Sequence, residues 1–290
     1  MKKEIILVVA VIALVAFSGC LGKKEEITSA FVGGTAGLTM KFQDLPVTVF
    51  PNTPFNVVVL VVNAGEYSVL ANEATFVFNN AATFNVTQAK QPNSEALPAS
   101  RKVGDASVEG GQQLIIWPNA AFSGTVLTEQ QKVTMAVEAC YPYKSMGVAS
   151  VCIARTTKIC NPVGEKSVQS SGAPVKFTSF KQTAQSVSAD QVYLEIAAGI
   201  ENKGDGKVYS TYSSCPSPVI DYLDSVHIIG IKLGDTAIPL KCDENPIYLS
   251  ENKGEINCGF YVNTTEDIQE QLSIELAYKY KQKISSEIAV

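Results

Sequence analysis

Apolar and polar residues alternate with a period of two along much of the chain. Phe55, Val57, Val59 and Val61 alternate into Asn63-Ala64-Gly65, and Leu194, Ile196, Ala198 and Ile200 alternate into Asn202-Lys203-Gly204. Such alternation marks a strand with one buried face, and Asn-x-Gly supplies residues tolerant of positive φ for the turn that follows. The two Asn-x-Gly segments lie 139 residues apart, about one domain length, so the pattern predicts a structural duplication. Further strands are predicted at Leu38–Phe42, Thr75–Phe78, Gln113–Trp117 and Val133–Ala139, and later at Val175–Phe180, Val226–Leu233, Glu255–Val262 and Leu272–Tyr280. Helical periodicity is scarce, and its best stretch, Thr264–Gln271, is short and acidic. Short alternating strands punctuated by Gly, Pro and Asn predict an all-β sandwich or barrel.

The N-terminus follows a different rule. Lys2 and Lys3 precede an uncharged apolar run from Ile5 to Phe17, which ends at Ser18-Gly19-Cys20. Thirteen residues at about 1.5 Å each fall short of a roughly 30 Å hydrocarbon core, which is the proportion of a signal peptide rather than a span. Ser-Gly-Cys after such a run resembles the lipobox, which implies lipidation of Cys20 and an anchor on the outer face of the cell membrane. A lipid with two chains is a stable tether where a single chain is marginal. The expected layout is a leader over 1–20, a charged tether over 21–36, one sandwich over 37–165, a polar linker over 166–173, and a second sandwich over 174–290. The polar stretch Gln88–Gln112 inside the first sandwich is long for an unstructured connection, and a weak hairpin around Lys102-Val103 is one way to fill it.

Composition narrows the function. Removing the leader, with Lys2, Lys3 and Glu4, leaves 21 basic and 27 acidic side chains, and only Arg101 and Arg155 are arginine. A net charge of about −6 is the wrong sign for gripping phosphates, so nucleic acid is excluded as a partner.

Setting Cys20 aside leaves six cysteines. An even count in an exported chain predicts disulfides. With no Cys-x-x-Cys and a single histidine, His227, a zinc site has little to stand on. Tyr141-Pro142-Tyr143-Lys144-Ser145 reads as a hairpin turn, which would set Cys140 opposite Cys152. Cys242 and Cys258 flank a second turn in the same way. These pairs leave Cys160–Cys215 as a bridge across the boundary, and three cysteines per domain demand at least one such bridge. The hairpin also makes Tyr141 and Tyr143 the candidate partner contacts.

Chemistry is sparse. His227 lies in a strand-like Val226-His227-Ile228-Ile229, without the Gly-x-Ser-x-Gly elbow of a hydrolase. Asp221, Asp224, Asp243 and Glu244 lack calcium-loop spacing. Trp117 reads as a core anchor, and Tyr278-Lys279-Tyr280 as a strand with both rings in the core. Asn85-Val86-Thr87 and Asn263-Thr264-Thr265 are glycosylation sequons that would mark exposed edges if used. No catalytic residue, metal or cofactor is expected.

Residues about 45–80 and 174–210, with their proline-led Phe and Val strands running into Asn-x-Gly, resemble the immunoglobulin-like, CARDB-like modules of archaeal and bacterial surface lipoproteins. The resemblance covers the strand cores of both halves. It implies two tandem immunoglobulin-like sandwiches of seven strands and a surface role, and it brings no catalytic residues. The expected function is therefore a non-enzymatic, membrane-anchored lipoprotein, acting in adhesion, envelope organisation or binding of a protein or glycan. The alternative is an accessory subunit of a surface filament or membrane complex that pairs through exposed strand edges.

Overall fold

The computed structural model describes residues 30–126, 131–154, 159–214 and 223–290. Among these, all regular structure is strand. The first half runs β1 (Leu38–Gln43), β2 (Phe55–Asn63), β3 (Thr75–Asn79), β4 (Lys90–Pro92), β5 (Arg101–Val103), β6 (Ala106–Val108), β7 (Gln112–Ala120) and β8 (Lys132–Ile153). The second runs β9 (Val163–Glu165), β10 (Val168–Ser170), β11 (Val175–Ser186), β12 (Gln191–Asn202), β13 (Lys207–Tyr209), β14 (Ser225–Leu233), β15 (Thr236–Ile238), β16 (Ile247–Tyr248), β17 (Lys253–Asn263) and β18 (Ile268–Ala289). Within the polar stretch of the first half, β5 and β6 pair as a small hairpin.

The organising feature is a ribbon of two 22-residue strands. β8 and β18 pair antiparallel along their whole length, from Lys132↔Ala289 to Ile153↔Ile268. At about 3.3 Å per residue the ribbon is about 70 Å long. Its midpoint is Pro142↔Lys279. β3 and β4 extend the sheet beyond β8, and β14 and β15 extend it beyond β18. Two further sheets, β1-β2-β7 and β17-β12-β11-β9, stand apart from it. A single buried cluster joins Val57, Trp117 and Val137 of the first half to Ile196, Phe260 and Ile274 of the second.

Three expectations change here. The predicted hairpin at Tyr141–Ser145 is the middle of β8, because inward-facing residues continue at every second position through Tyr141, Tyr143, Ser145 and Gly147. Proline is tolerated there because β3 and β10 pair with β8 only at residues 136–140 and 147–149. Pro142 falls in the gap between them, so its missing N–H interrupts no ladder on that edge. The stretch expected as a linker contains β10, paired to β8. The last eleven residues of β18 complete the first half, pairing with Lys132–Pro142.

Sequence and packing together reveal an internal two-fold relation. Tyr141 and Tyr143 of β8 correspond to Tyr278 and Tyr280 of β18, each 137 residues later, and the antiparallel register sets Tyr141 opposite Tyr280 and Tyr143 opposite Tyr278. Leu38, opening β1, corresponds to Val175, opening β11, at the same offset. β2 then matches β12, and β7 matches β17, since each pairs with the corresponding centre strand.

Candidate functional site

The four tyrosines form the centre of the molecule. Alternation puts all four rings on one face of the ribbon, and they are fully buried. The rings of Tyr141 and Tyr280 lie 6.0 Å apart, and those of Tyr143 and Tyr278 6.4 Å. Buried hydroxyls need partners, and each half supplies them in the same way. The Leu38 amide donates to the Tyr141 hydroxyl at 3.0 Å, as the Val175 amide does to Tyr278 at 3.2 Å. Gln282 Nε2 donates to the Leu38 carbonyl, and at the matching position Ser145 Oγ donates to the Val175 carbonyl. Tyr143 donates to Asn63 Oδ1 at 3.2 Å, and Tyr280 to Asn202 Oδ1 at 3.5 Å. Each Asn Oδ1 also accepts the amide of the glycine two residues on, Gly65 or Gly204.

This explains the glycine of both Asn-x-Gly segments. A β-carbon at Gly65 would run into the Tyr143 hydroxyl, and one at Gly204 into the Tyr280 hydroxyl. The requirement is close approach rather than an unusual φ. Burial pushes Tyr280 up to about 12 and holds the other three well above the ordinary tyrosine range. Two ion pairs repeat the relation outside the ring cluster: Lys144–Glu275 at 3.0 Å and Lys281–Glu138 at 2.8 Å. Burial raises the Glu138 carboxyl, but bonds from Lys281 and Asn79 outweigh it and hold it below the usual range. Tyr141 and Tyr143, expected as exposed partner contacts, are therefore core residues.

The halves part company on the outer faces of their smaller sheets. On β2 and β7 the outward residues are Val58, Leu60, Val62, Leu114 and Ile116, and the last two are 49% and 41% exposed. Cross-strand register places Leu60 beside Leu114 and Val58 beside Ile116, so the five form one aliphatic strip. The matching positions on β12 and β17 are Ala197, Gly199, Glu201, Glu255 and Asn257. Small residues on the centre strand leave a hollow there. One part, about 320 Å³, is lined by Lys181, Tyr193, Glu195, Asp243, Asn257 and Gly259. A second part, sharing Lys181 and Ala197, continues toward Gly199 and Glu255.

Cys152 is bonded to Cys160, and Cys242 to Cys258. Cys140 is also disulfide-bonded, with its partner outside the described residues. The expected Cys140–Cys152 and Cys160–Cys215 bridges are thereby replaced. Cys140 and Cys152 sit twelve residues apart on one extended strand, about 40 Å, whereas a disulfide needs Cα atoms within about 7 Å. Cys152–Cys160 instead closes the connection leaving β8. The bonds fit an oxidising, extracytoplasmic environment.

Cys20, Cys215, Asp221 and Tyr222 lie outside the described residues. Asn85 and Asn263 are exposed. Trp117 is buried and donates to the Ala89 carbonyl. His227 is drawn into a small cluster that sequence reasoning missed. Its Nε2 lies 2.8 Å from Ser210 Oγ, and the Tyr212 ring meets it edge-on at 5.2 Å. Ser210 is only 3% exposed, and its Oγ also accepts the Tyr212 amide. Among the described residues no carboxylate bonds the other ring nitrogen. Burial lowers the His227 pKa, so the neutral ring serves to hold this turn against β14. Near the ribbon centre, the Glu66 carboxylate accepts the amides of Val32, Gly33 and Gly172, fixing where the N-terminal segment enters the fold.

No protein-family model matches the chain, and no curated protein matches it in sequence.

Proposed function

We propose that this chain is a membrane-tethered, extracytoplasmic binding protein without enzymatic activity, held by a lipid on Cys20 and built of two immunoglobulin-like halves. The first half carries a docking face for another protein of the cell envelope. The observation that carries this reading is the aliphatic strip of Val58, Leu60, Val62, Leu114 and Ile116. Its counterpart in the other half is polar, so the architecture does not require apolar residues there, and contiguous exposed apolar surface of this kind marks interaction sites. The entry of the N-terminal segment beside the ribbon centre, pinned by Glu66, suits a tether that leaves this face available.

Docking through the face fits better than strand addition at β7. The Ile116 carbonyl accepts Gln91 Nε2 at 2.9 Å, and Gln113 and Trp117 are engaged by the Ala89–Ser94 stretch, so that edge is already braced.

A photo-crosslinking residue placed at Leu114 in intact cells tests the reading, with the same residue at Glu255 as control. The expected result is a discrete protein adduct from position 114 alone, abolished by Ile116→Lys, and release of the protein into the medium by Cys20→Ser. Equal labelling from both positions, or an adduct indifferent to Ile116→Lys, would reject the docking face. Retention of the Cys20→Ser form on the membrane would reject the lipid tether.

A further inference from the structure

We infer that the outer face of the second small sheet is a saccharide-binding groove, a site separate from the apolar docking face and independent of it.

The groove follows from three local choices in the sequence. The centre strand β12 presents Ala197 and Gly199 outward, where the matching strand presents Val58 and Leu60, so the floor drops by the height of two branched side chains. Tyr193 and Tyr261 face each other across β12 and β17, with ring centroids 4.8 Å apart. Tyr193 lies over Gly259, since a β-carbon there would strike its hydroxyl, and this turns the ring down along the sheet rather than away from it. Tyr261 is 58% exposed. The third choice is the Cys242–Cys258 bond. It draws residues 241–243 alongside β17, where Asp243 donates its amide to the Asn257 carbonyl and Gly259 donates to the Lys241 carbonyl. Cys258 faces inward, and Asp243 is thereby set at the rim of the hollow.

The lining matches a polyhydroxylated, uncharged ligand. A sugar ring offers an apolar face of C–H groups, which packs on an aromatic surface, and an equator of hydroxyls that both donate and accept. Glu195 and Asp243 supply acceptors, Lys181 donors, and Asn257 both. All four are exposed. Among the described residues the side chains of Glu195, Asp243 and Asn257 are engaged with no other part of the protein. Two carboxylates against one lysine, itself 3.6 Å from Glu165, disfavour anionic polymers. The hollow of about 320 Å³ sits at the lower end of the roughly 300–1,000 Å³ typical of ligand sites. Its continuation along β12 accommodates more than one sugar unit.

The test is calorimetric titration of the detergent-solubilised full lipoprotein with mannotetraose, cellotetraose and chitotetraose as neutral probes, and with a polyphosphate as the anionic one. Saturable binding of at least one neutral tetrasaccharide is expected. Tyr193→Ala and Ala197→Val should each weaken it at least tenfold, while Leu114→Asp leaves it unchanged. Ala197→Val adds two methyl groups at a half-exposed position and restores the residue found at position 58, so it keeps the test open if Tyr193→Ala does not fold. Absence of binding to all three saccharides would overturn the inference. So would tighter binding of polyphosphate, or saccharide binding that Ala197→Val and Tyr193→Ala leave intact. Because Leu114 and Ile116 take no part, failure here leaves the docking face standing, and the reverse also holds.

Discussion

The two halves of this molecule agree inside and disagree outside. Within, Asn63 and Asn202, Gly65 and Gly204, Tyr143 and Tyr280, and Glu138 and Glu275 occupy equivalent places and make equivalent bonds. Outside, an aliphatic strip on one sheet answers to a polar hollow on the other. The interior is what a shared ribbon demands of any sequence folding around it, since a buried hydroxyl without a partner costs about 1–3 kcal/mol. The outer faces are free of that demand, so their difference is where function has room to act.

Even the interior is not perfectly matched, and this allows the comparison to be sharpened. Asn63 is wholly buried and makes four hydrogen bonds, with Nδ2 reaching the carbonyls of Tyr67 and Leu97 and Oδ1 serving Gly65 and Tyr143. Asn202 is slightly more open, makes one Nδ2 bond, to Gly206, and has the longer tyrosine contact. Asn63→Ala is expected to destabilise by about 3 kcal/mol and Asn202→Ala by about half that, from the cost of leaving buried groups unpaired. Chemical denaturation measures both. Equal losses would mean that the locks are energetically interchangeable despite their geometry.

Alkaline titration tests the tyrosine centre as a unit. Unfolded tyrosines ionise near pH 10, whereas folded Tyr280 does so at about 12 and its three neighbours higher. Groups raised in the folded state give stability that is whole below the unfolded value and is lost as pH rises through the folded one. Stability should therefore hold to about pH 10 and fall steeply above it, with tyrosinate absorbance appearing in step with unfolding. Gradual ionisation of these four tyrosines in a protein that stays folded would contradict their burial.

The smallest effect concerns the mirrored ion pairs. Lys144→Ala and Lys281→Ala should each cost no more than about 1 kcal/mol, with the larger loss at Lys281, whose pair is the less exposed. Both losses should shrink in high salt. Paired thermal melts at two salt concentrations decide it, and a larger loss at Lys144 would break the expected order.

The strand content, the duplication and the tyrosine core were legible in the sequence to different degrees. Alternation into Asn-x-Gly located β2 and β12, because a half-buried strand and a tight turn both leave local marks. The more telling repeat went unread: Glu-x-x-Tyr-x-Tyr-Lys occurs at 138–144 and again at 275–281. Tyr278-Lys279-Tyr280 reads correctly as core, while the same pattern around Pro142 reads as a turn, because proline is a strong local signal for one. What overrides it is a gap between neighbouring strands, a tertiary fact with no local trace. The Cys140–Cys152 expectation fell with the hairpin. The hollow on β12 was hidden for a different reason. Ala197 and Gly199 look like ordinary strand positions until register sets them beside Lys181, Asn257 and Glu255.

The account stands on β8 and β18 binding both halves into one body, and thermal unfolding of the full lipoprotein by calorimetry tests this most directly. A single cooperative transition is predicted, moved as a whole to lower temperature by either Asn63→Ala or Asn202→Ala. Two separable transitions, with each substitution shifting only the one belonging to its own half, would show independent domains and contradict the shared ribbon.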